Sequence, residues 1–479
     1  MNLPEEFEAY TRQLFGNELY EKFRQAIGEE SPVSIRLNPF KTQYLESDEA
    51  LEIDDSKINS LFPTLLSQKN EVPWCRFGRY LNVRPAFTFD PLLHAGLYYV
   101  QEASSMFVCE VVRQLIHEPV LMLDLCAAPG GKTTALRSAL PDGSLLFANE
   151  PIKTRASILK ENVIKLGHPD VIVTNNYPKD YKKSKLSFDA ILADVPCSGE
   201  GMFRKDANAI SEWSVNNVEK CQQLQRSIIE DVWPCLRPGG LLIYSTCTFN
   251  AHENEENVEW IAKNLGADFV RIEIKPEWNI TGALVGSNPV CRFIPGVSKG
   301  EGLFMTVLRK HGSSGIPETK ERHKDKSQIS NLKSFDTWLD GSYSFFMDKD
   351  FIRAVPARWS EIYNNVKSRL HVIHAGVGIG TVKGKDVIPD VSLAQSIVLR
   401  KDAFPVVELT YDDAIKYLRK EAISLDSSAQ KGFTIVTYGG EPLGFVKNLG
   451  NRANNLYPQE WKIRSSHVPD AFTHTSSHS

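Results

Sequence analysis

The 479-residue chain has no apolar run approaching the roughly 18 to 20 residues that cross a membrane as a helix, so no membrane partner is expected. Its eight cysteines form no C-x-x-C pair. That argues against both a disulfide framework and a structural zinc, leaves free thiols as the default, and gives an expectation of no metal. It also lacks an excess of charge of one sign: 55 Lys and Arg face 59 Asp and Glu, a net charge of −4. A polynucleotide partner would therefore have to be held by local basic patches. No internal repeat or low-complexity tract is evident. The start, MNLPEEFEAYTRQLF, reads as an acidic amphipathic helix rather than a basic region followed by an apolar stretch, so the expected location is the cytoplasm. What is present, 42% hydrophobic and 24% charged residues, is ordinary for a globular chain, and the length suits two to four domains.

Residues 1–100 read as a small helical and mixed lead-in. Phe7, Tyr10, Leu14 and Phe15 share a helical face, a second helix fits Glu18 to Ile27, and SIRLNPFK is a strand ending at Pro39. Residues 73–90 interleave Trp74, Phe77, Tyr80 and Phe87 with Arg76, Arg79 and Arg84. Such a mixture suits stacking on bases while neutralising phosphates, or equally a peripheral cluster with solvated arginines. QEASSMFVCEVVRQLI then reads as a helix offering Met106, Val108, Val111, Val112 and Leu115 to a core.

From Val120 the chain alternates strand and helix in the doubly wound manner. Strands are predicted at 120–124, 144–149, 171–173, 190–194, 241–245, 269–272 and 303–308. The helix before the fifth strand has Val215, Val218, Cys221, Leu224, Ile228, Val232 and Cys235 every three or four residues, and Pro238-Gly239-Gly240 is expected to stop it. The helix after that strand is expected to be capped at Asn250 with Glu253 three residues on, close to a capping box.

Two strand ends carry thiols. FDAILADVPCSGEG delivers Asp194, Pro196 and Cys197 to the end of a buried strand, and LLIYSTCTFN delivers Cys247 to the end of the next. In open α/β sheets ligands gather outside the carboxyl ends of the strands. A single cysteine there would more often be packing, but two at corresponding places point to chemistry.

The first strand and its loop, LMLDLCAAPGGKTT, make a candidate cofactor site of Asp124, Cys126, Ala127, Ala128, Pro129, Gly130, Gly131 and Lys132. A strand that enters a helix through such a loop lets a ligand lie against main chain and a helix N-terminus. A phosphate-binding loop would need glycine where Cys126 stands, and G-x-G-x-x-G is absent. S-adenosylmethionine remains, its amine and carboxylate met by Asp124 and loop amides, its ribose by Glu150 at the end of the second strand. An acid there suits any adenosine ribose.

DLCAAPGGKT, Glu150, ADVPCSGEGMFR and YSTCTFNAHENE, in that order, resemble the Sun/nucleolar-protein family of RNA 5-methylcytosine methyltransferases, in particular its bacterial ribosomal-RNA branch. QEASSM and RFIPGVSKGEGLFM look like further family signatures, and the resemblance spans at least Gln101 to Lys310. It implies a Rossmann-like methyltransferase sheet, S-adenosylmethionine as cofactor, and RNA, namely 16S ribosomal RNA or the small ribosomal subunit, as partner. One departure is visible: the family often has an aspartate after the third strand for the adenine, and Tyr177 stands there, so no adenine contact is assigned.

The chemistry accounts for two thiols and a carboxylate. Carbon 5 of cytosine becomes nucleophilic only after a thiolate adds to carbon 6 and nitrogen 3 is protonated or hydrogen-bonded. After methyl transfer the carbon-5 proton must leave so that the thiolate can be expelled. The resemblance implies Cys247 as nucleophile, Cys197 as the group assisting release, and Asp194 against nitrogen 3 and the exocyclic amine while also lying near the cofactor. Lys132 is a candidate for lowering the thiolate pKa or orienting the base, against a plain reading as a solvated lysine. Cys126 decides nothing, since a thiol within a cofactor loop is more often packing. DNA 5-methylcytosine enzymes attack from a PC motif, so the residues alone leave the two thiol roles exchangeable. A DNA methyltransferase or a non-catalytic assembly factor on the same fold are the rival readings.

Beyond Lys310, HGSSGIPETKERHKDKSQ reads as a linker. Residues 313–388 are expected to hold that linker and a small mixed domain, with strands near 342–347 and 371–376. Residues 389–464 hold a last domain with the hairpin GFTIVTYGGEPLGFVKN. This end resembles the PUA-like RNA-binding domain of the same branch, and Lys431, Lys447, Arg452, Lys462 and Arg464 face only Glu441 and Glu460 there. Residues 465–479 are a polar tail. The fold class expected is thus α/β: a doubly wound methyltransferase domain over 101–312 between the N-terminal RNA-recognition region and C-terminal mixed α+β and PUA-like domains.

Overall fold

The computed structural model describes residues 2–42, 44–47, 50–53, 70–312 and 335–465. The predicted linker from 313 onward and the tail from 466 lie outside the described residues.

Leucine-, isoleucine- and valine-rich segments between residues 121 and 310 build the centre of the molecule. They form β1 Leu121–Asp124, β2 Leu145–Asn149, β3 Val171–Thr174, β4 Phe188–Asp194, β5 Leu236–Thr246, β6 Ala267–Val270 and β7 Leu303–Lys310. Their order in space is β6-β7-β5-β4-β1-β2-β3 within a nine-stranded sheet. Neighbours from β3 across to β5 pair parallel, while β7 pairs antiparallel with both β5 and β6. Successive side chains serve opposite faces: Met122, Leu146, Leu192 and Ile243 join one apolar layer, Leu123, Phe147, Ile191 and Leu242 the other. Helices α1 Gly131–Ala139, α2 Lys153–Leu166, α3 Val215–Val232 and α4 Glu255–Ile261 lie between the strands in sequence.

The winding reverses between β1 and β4, which opens a crevice at their carboxyl ends. Asp124 and Asp194 are the last residues of those two strands. Parallel pairing sets Asp194 beside Ser245 of β5. Cys197, three residues past one, and Cys247, two past the other, are thereby brought to the same rim.

The two expected N-terminal helices are present within Glu5–Ala26, divided by a kink at Gly16, where φ 72° and ψ 165° leave the helical region. Several other expectations need correction. Trp74, Phe77 and Tyr80 are not a stacking surface: they belong to strand Cys75–Leu81 and its approach, and are buried in the core that joins the N-terminal sheet to the central one. Arg79 is buried with them, and the Trp74 indole donates to the Ala103 carbonyl at 2.7 Å. The segment from Gln101 becomes helical only at Ser104, as a 3-10 turn leading to the α-helix Val108–Leu115, because Ser104 and Ser105 donate their backbone N–H groups to the Glu102 carboxylate first.

On α3, Leu224 is exposed and Gln225 buried, since the glutamine amide bonds both the Pro196 carbonyl and Glu253. That helix ends in the 3-10 turn Trp233–Cys235 at Pro234, and Pro238-Gly239-Gly240 lies inside β5. A Cβ on Gly240 would stand 2.9 Å from the Asp189 carbonyl of the neighbouring strand. Asn250 does accept from the Glu253 N–H, but it caps only a turn, and α4 begins at Glu255.

The strand expected near 371–376 is Val372–Ala375, here β8, and it belongs to the central sheet: it pairs antiparallel with β3. The remaining strands from 343 to 389 form a separate four-stranded sheet whose last member, Asp386–Pro389, crosses the division expected at 388. One apolar core joins Phe345, Ile352 and Ile379 of that sheet to Leu393, Ile435 and Phe445. The predicted hairpin is present as Gly432–Tyr438 and Glu441–Asn448, with Gly439 and Gly440 both at positive φ in the turn.

Candidate active site

Each part of the site hangs from a strand end. Asp124 is fully buried, and its Oδ2 accepts from Thr133 Oγ at 2.6 Å. Burial, reinforced by Asp194, pushes its carboxyl up to about 7. Its Oδ1 is buried and has no hydrogen-bond partner among the described residues. A buried carboxylate oxygen left without a donor fits an ammonium group, which is what the methionine end of S-adenosylmethionine offers.

The loop after β1 is held by the Ala127 N–H donating to the Asn149 carbonyl at 2.8 Å, by Arg155 donating to the Ala128 carbonyl, and by Asn162 donating to the Pro129 carbonyl. Gly130 caps α1 at φ 117°, a conformation that favours glycine, and a Cβ there would press on Asn162 and Leu159. Gly131 and Lys132 open the helix. Cys126 is half-buried, and burial with the nearby Asp124 carboxylate raises its thiol far above the ordinary range, which suits packing rather than reactivity.

Glu150, next after β2, is 1% exposed and accepts from the Ile152 N–H at 3.0 Å, with Arg155 at 3.5 Å from its other oxygen. The donor set therefore fits the cofactor: Asp124 and main-chain amides for its amino-acid end, Glu150 for the ribose. Tyr177 is 62% exposed in the loop after β3.

At the other rim the Cys197 and Cys247 sulfurs lie 3.2 Å apart. The contact with Cys247 and burial hold the Cys197 thiol well above its ordinary value. Asp194 accepts from Lys132 Nζ at 2.9 Å on Oδ2 and from Ser245 Oγ at 2.6 Å on Oδ1. Burial works against the Lys132 ammonium, but Asp194, with a further contribution from Cys247, outweighs it and holds the lysine above its ordinary pKa. The pair thus ties the end of β4 to the start of the helix that follows the cofactor loop.

Sequence reading missed three groups that complete this geometry, Thr133, Ser245 and Glu200, and read a fourth, Glu253, only as part of a helix cap. The first two were legible in principle as hydroxyls beside motif residues. The two glutamates were not, because their partners are backbone amides of a loop some fifty residues away.

Comparison with known proteins shows which family the chain belongs to. A family model described as 16S rRNA methyltransferase RsmB/F matches residues 115–309. Models for the N-terminal domain of 16S rRNA methyltransferase RsmF and for the RsmF PUA domain match 3–103 and 404–463. Ribosomal RNA small subunit methyltransferase F from Shewanella sp. (strain W3-18-1) is 30% identical over 426 residues, covering 83% of this chain and 87% of that protein. The chain belongs to the ribosomal RNA small subunit methyltransferase F family. The member from Klebsiella pneumoniae (strain 342) is also 30% identical, over 82% of this chain and 84% of its own length.

Among solved structures, a methyltransferase homolog from Pyrococcus horikoshii superposes with a TM-score of 0.54 at 25% identity, covering 64% of this chain and 95% of that one. NSun6 from Pyrococcus horikoshii shares the fold at 21% identity and a TM-score of 0.54, over 65% and 99% of the two chains. Methyltransferase F family membership carries the doubly wound fold, methyl-transfer chemistry and S-adenosylmethionine as cofactor. Among the described residues there is no cluster of metal-ligating side chains, and no helix is long and apolar enough to cross a membrane.

Proposed function

We propose that this protein methylates carbon 5 of a cytidine in 16S ribosomal RNA through a covalent adduct on Cys247. The observation that carries the reading is the thiol pair at 3.2 Å beside the Lys132–Asp194 ion pair, on the rim shared with the Asp124 loop. The substrate follows from the names of the relatives and the family models.

S-adenosylmethionine, when bound, supplies an electrophilic methyl group. The protein's own groups do the rest. Cys247 adds as a thiolate to carbon 6, forming the carbon–sulfur bond, while Asp194 accepts from the exocyclic amine and the ammonium on its Oδ2 offers a proton to nitrogen 3. Once carbon 5 is methylated its proton is lost to a solvent water, the C5–C6 double bond re-forms, the Cys247 sulfur departs as a thiolate, and nitrogen 3 returns its proton to Lys132. Cys197 stands next to that departing sulfur and assists the release. The Glu253 carboxylate bears on Cys197 and disfavours a thiolate there.

The division of the chain follows the same reading. Residues 101–312 perform the chemistry, residues 1–100 and 389–464 bind RNA, residues 313–388 hold a linker and a small mixed domain that lends β8 to the catalytic sheet, and the protein works in the cytoplasm. The test is transfer of labelled methyl from S-adenosylmethionine to 16S ribosomal RNA, with bisulfite mapping of the product. Incorporation into DNA oligonucleotides but not RNA would reverse the substrate, and no incorporation into either would remove the activity.

A further inference from the structure

The two thiol loops exchange carboxylates. Glu200, three residues past Cys197, is buried, and its Oε2 accepts from the backbone N–H groups of Phe249 and Asn250, just past Cys247, at 2.7 and 2.9 Å. Glu253, six residues past Cys247, is fully buried, and its Oε2 accepts from the Ser198 N–H, next to Cys197, at 3.0 Å. The remaining oxygens are filled by donors as well: Trp213 Nε1 and Asn250 Nδ2 on Glu200 Oε1, Asn250 Nδ2 on Glu253 Oε1, and Gln225 Nε2 on Glu253 Oε2. Asn250 thus sits between the carboxylates and bonds both. Between these clamps the Gly201 N–H donates to the Cys247 carbonyl at 2.8 Å, an approach so close that a Cβ on Gly201 would stand 2.7 Å from that oxygen.

We propose that Glu200 and Glu253 are positioning residues for the thiol pair: each is carried by one cysteine's loop, grips the amides of the other's, and together they fix the sulfur separation on which release depends. Neither touches a sulfur. Loops of this length do not otherwise hold two side chains within a few tenths of an ångström, and misplacement of reacting groups by about 1 Å costs on the order of a hundredfold in rate. Both sites are surrounded by donors, so only a carboxylate satisfies them. A glutamine amide would turn its NH2 toward another N–H. Burial raises the Glu253 carboxyl above its ordinary value, and the Ser198 and Asn250 bonds counter that.

The inference rests on the thiol assignment above, so its test reads distance without reference to substrate. In the full-length protein, E200Q, E253Q and a control, Glu110→Gln, are treated with the thiol oxidant diamide. Formation of the Cys197–Cys247 disulfide, two thiols oxidised as the diazene is reduced to the hydrazine, is followed by peptide mass spectrometry. Both glutamine variants should form it at least about tenfold more slowly than wild type and lose at least about tenfold in kcat, the scale of a lost positioning contact, with KM for S-adenosylmethionine little changed. Glu110→Gln should behave as wild type. The double variant should be no worse than the poorer single one, because the clamps act as a unit. Should a glutamine variant not fold, Glu253→Asp, which keeps the charge and withdraws the oxygens by a methylene, carries the same expectation. Wild-type disulfide rates and kcat in the variants overturn the proposal, as does a loss of kcat matched by an equal loss of cofactor affinity. If slowed disulfide formation is seen but Cys197→Ala traps no RNA adduct, the clamp stands and the thiol roles fall.

Discussion

Cys197 and Cys247, fifty residues apart in sequence, stand with their sulfurs 3.2 Å apart because Asp194 and Ser245 are paired neighbours on parallel strands. Strand register, rather than either loop alone, brings the two thiols to one rim.

The thiols should fail differently when removed. Cys247→Ala should abolish turnover and leave no protein–RNA adduct, since no covalent bond to carbon 6 can form. Cys197→Ala should accumulate an adduct on denaturing gels that depends on S-adenosylmethionine. The double variant should show none. An adduct with Cys247→Ala and none with Cys197→Ala would exchange the roles.

Asp124 should make cofactor binding pH-dependent. Its folded pKa, about 7, lies above the ordinary carboxyl value, so the folded state holds a proton that the unfolded chain has released. Stability of the free protein should fall as pH rises from about 4 to 7 and then level off. A cationic ligand facing Oδ1 favours the ionised form, so affinity for S-adenosylmethionine should rise over that window, with a proton released on binding within it. Calorimetry between pH 5.5 and 8.5 in buffers of different ionisation enthalpy reads both effects. Asp124→Asn should bind weakly and without the slope; a wild-type slope in that variant would assign the titration elsewhere.

Glu150→Ala should weaken S-adenosylmethionine binding by about 1 to 3 kcal/mol, the usual cost of a lost charged hydrogen bond. Unchanged affinity by calorimetry would take Glu150 out of the cofactor site.

Removing the C-terminal region outright is a poor test of RNA binding, because Phe345 and Ile352 share a core with Ile435 and Phe445, and Phe89 and Ala95 pack with Leu409 and Tyr417. Neutralising the exposed Lys431, Arg452 and Arg464 to glutamine leaves those cores intact. RNA affinity should drop and the log–log salt slope should flatten by roughly 2 to 3, with cofactor affinity unchanged. An unaltered slope would place the phosphate contacts on another surface.

Trp74→Ala should cost about 3 to 5 kcal/mol of stability, as expected for a large aromatic removed from a packed core. Denaturant unfolding measures it. Loss of RNA affinity without loss of stability would restore the stacking reading of that segment.

The cofactor loop and the thiols were legible because each motif is local: a strand, a short loop and a helix start within a dozen residues. Buried parallel strands announce themselves by apolar runs. The mixed segment at 73–90 misled because alternating Arg and aromatics describes a half-buried strand as well as a binding surface, and period alone cannot say which face is covered. Leu224 and Gln225 exchanged places for a related reason: a polar network at Glu253 recruits the glutamine inward against helical apolar spacing. β8 was recognised as a strand, but its partner lies far away in sequence and leaves no local trace.

That distant pairing has a bearing on how the chain is made. The backbone N–H of His371 meets Asn176 Oδ1 at the start of β8, 195 residues apart. At the usual pace of about 5 to 20 residues per second, the outer edge of β3 is synthesised some 10 to 40 seconds before the strand that covers it. Until then the nascent catalytic sheet presents an open flank of unpaired main-chain groups, a template for wrong partners. Chains interrupted before residue 375 should therefore be more prone to clumping on the ribosome than their well-formed cofactor loop would suggest.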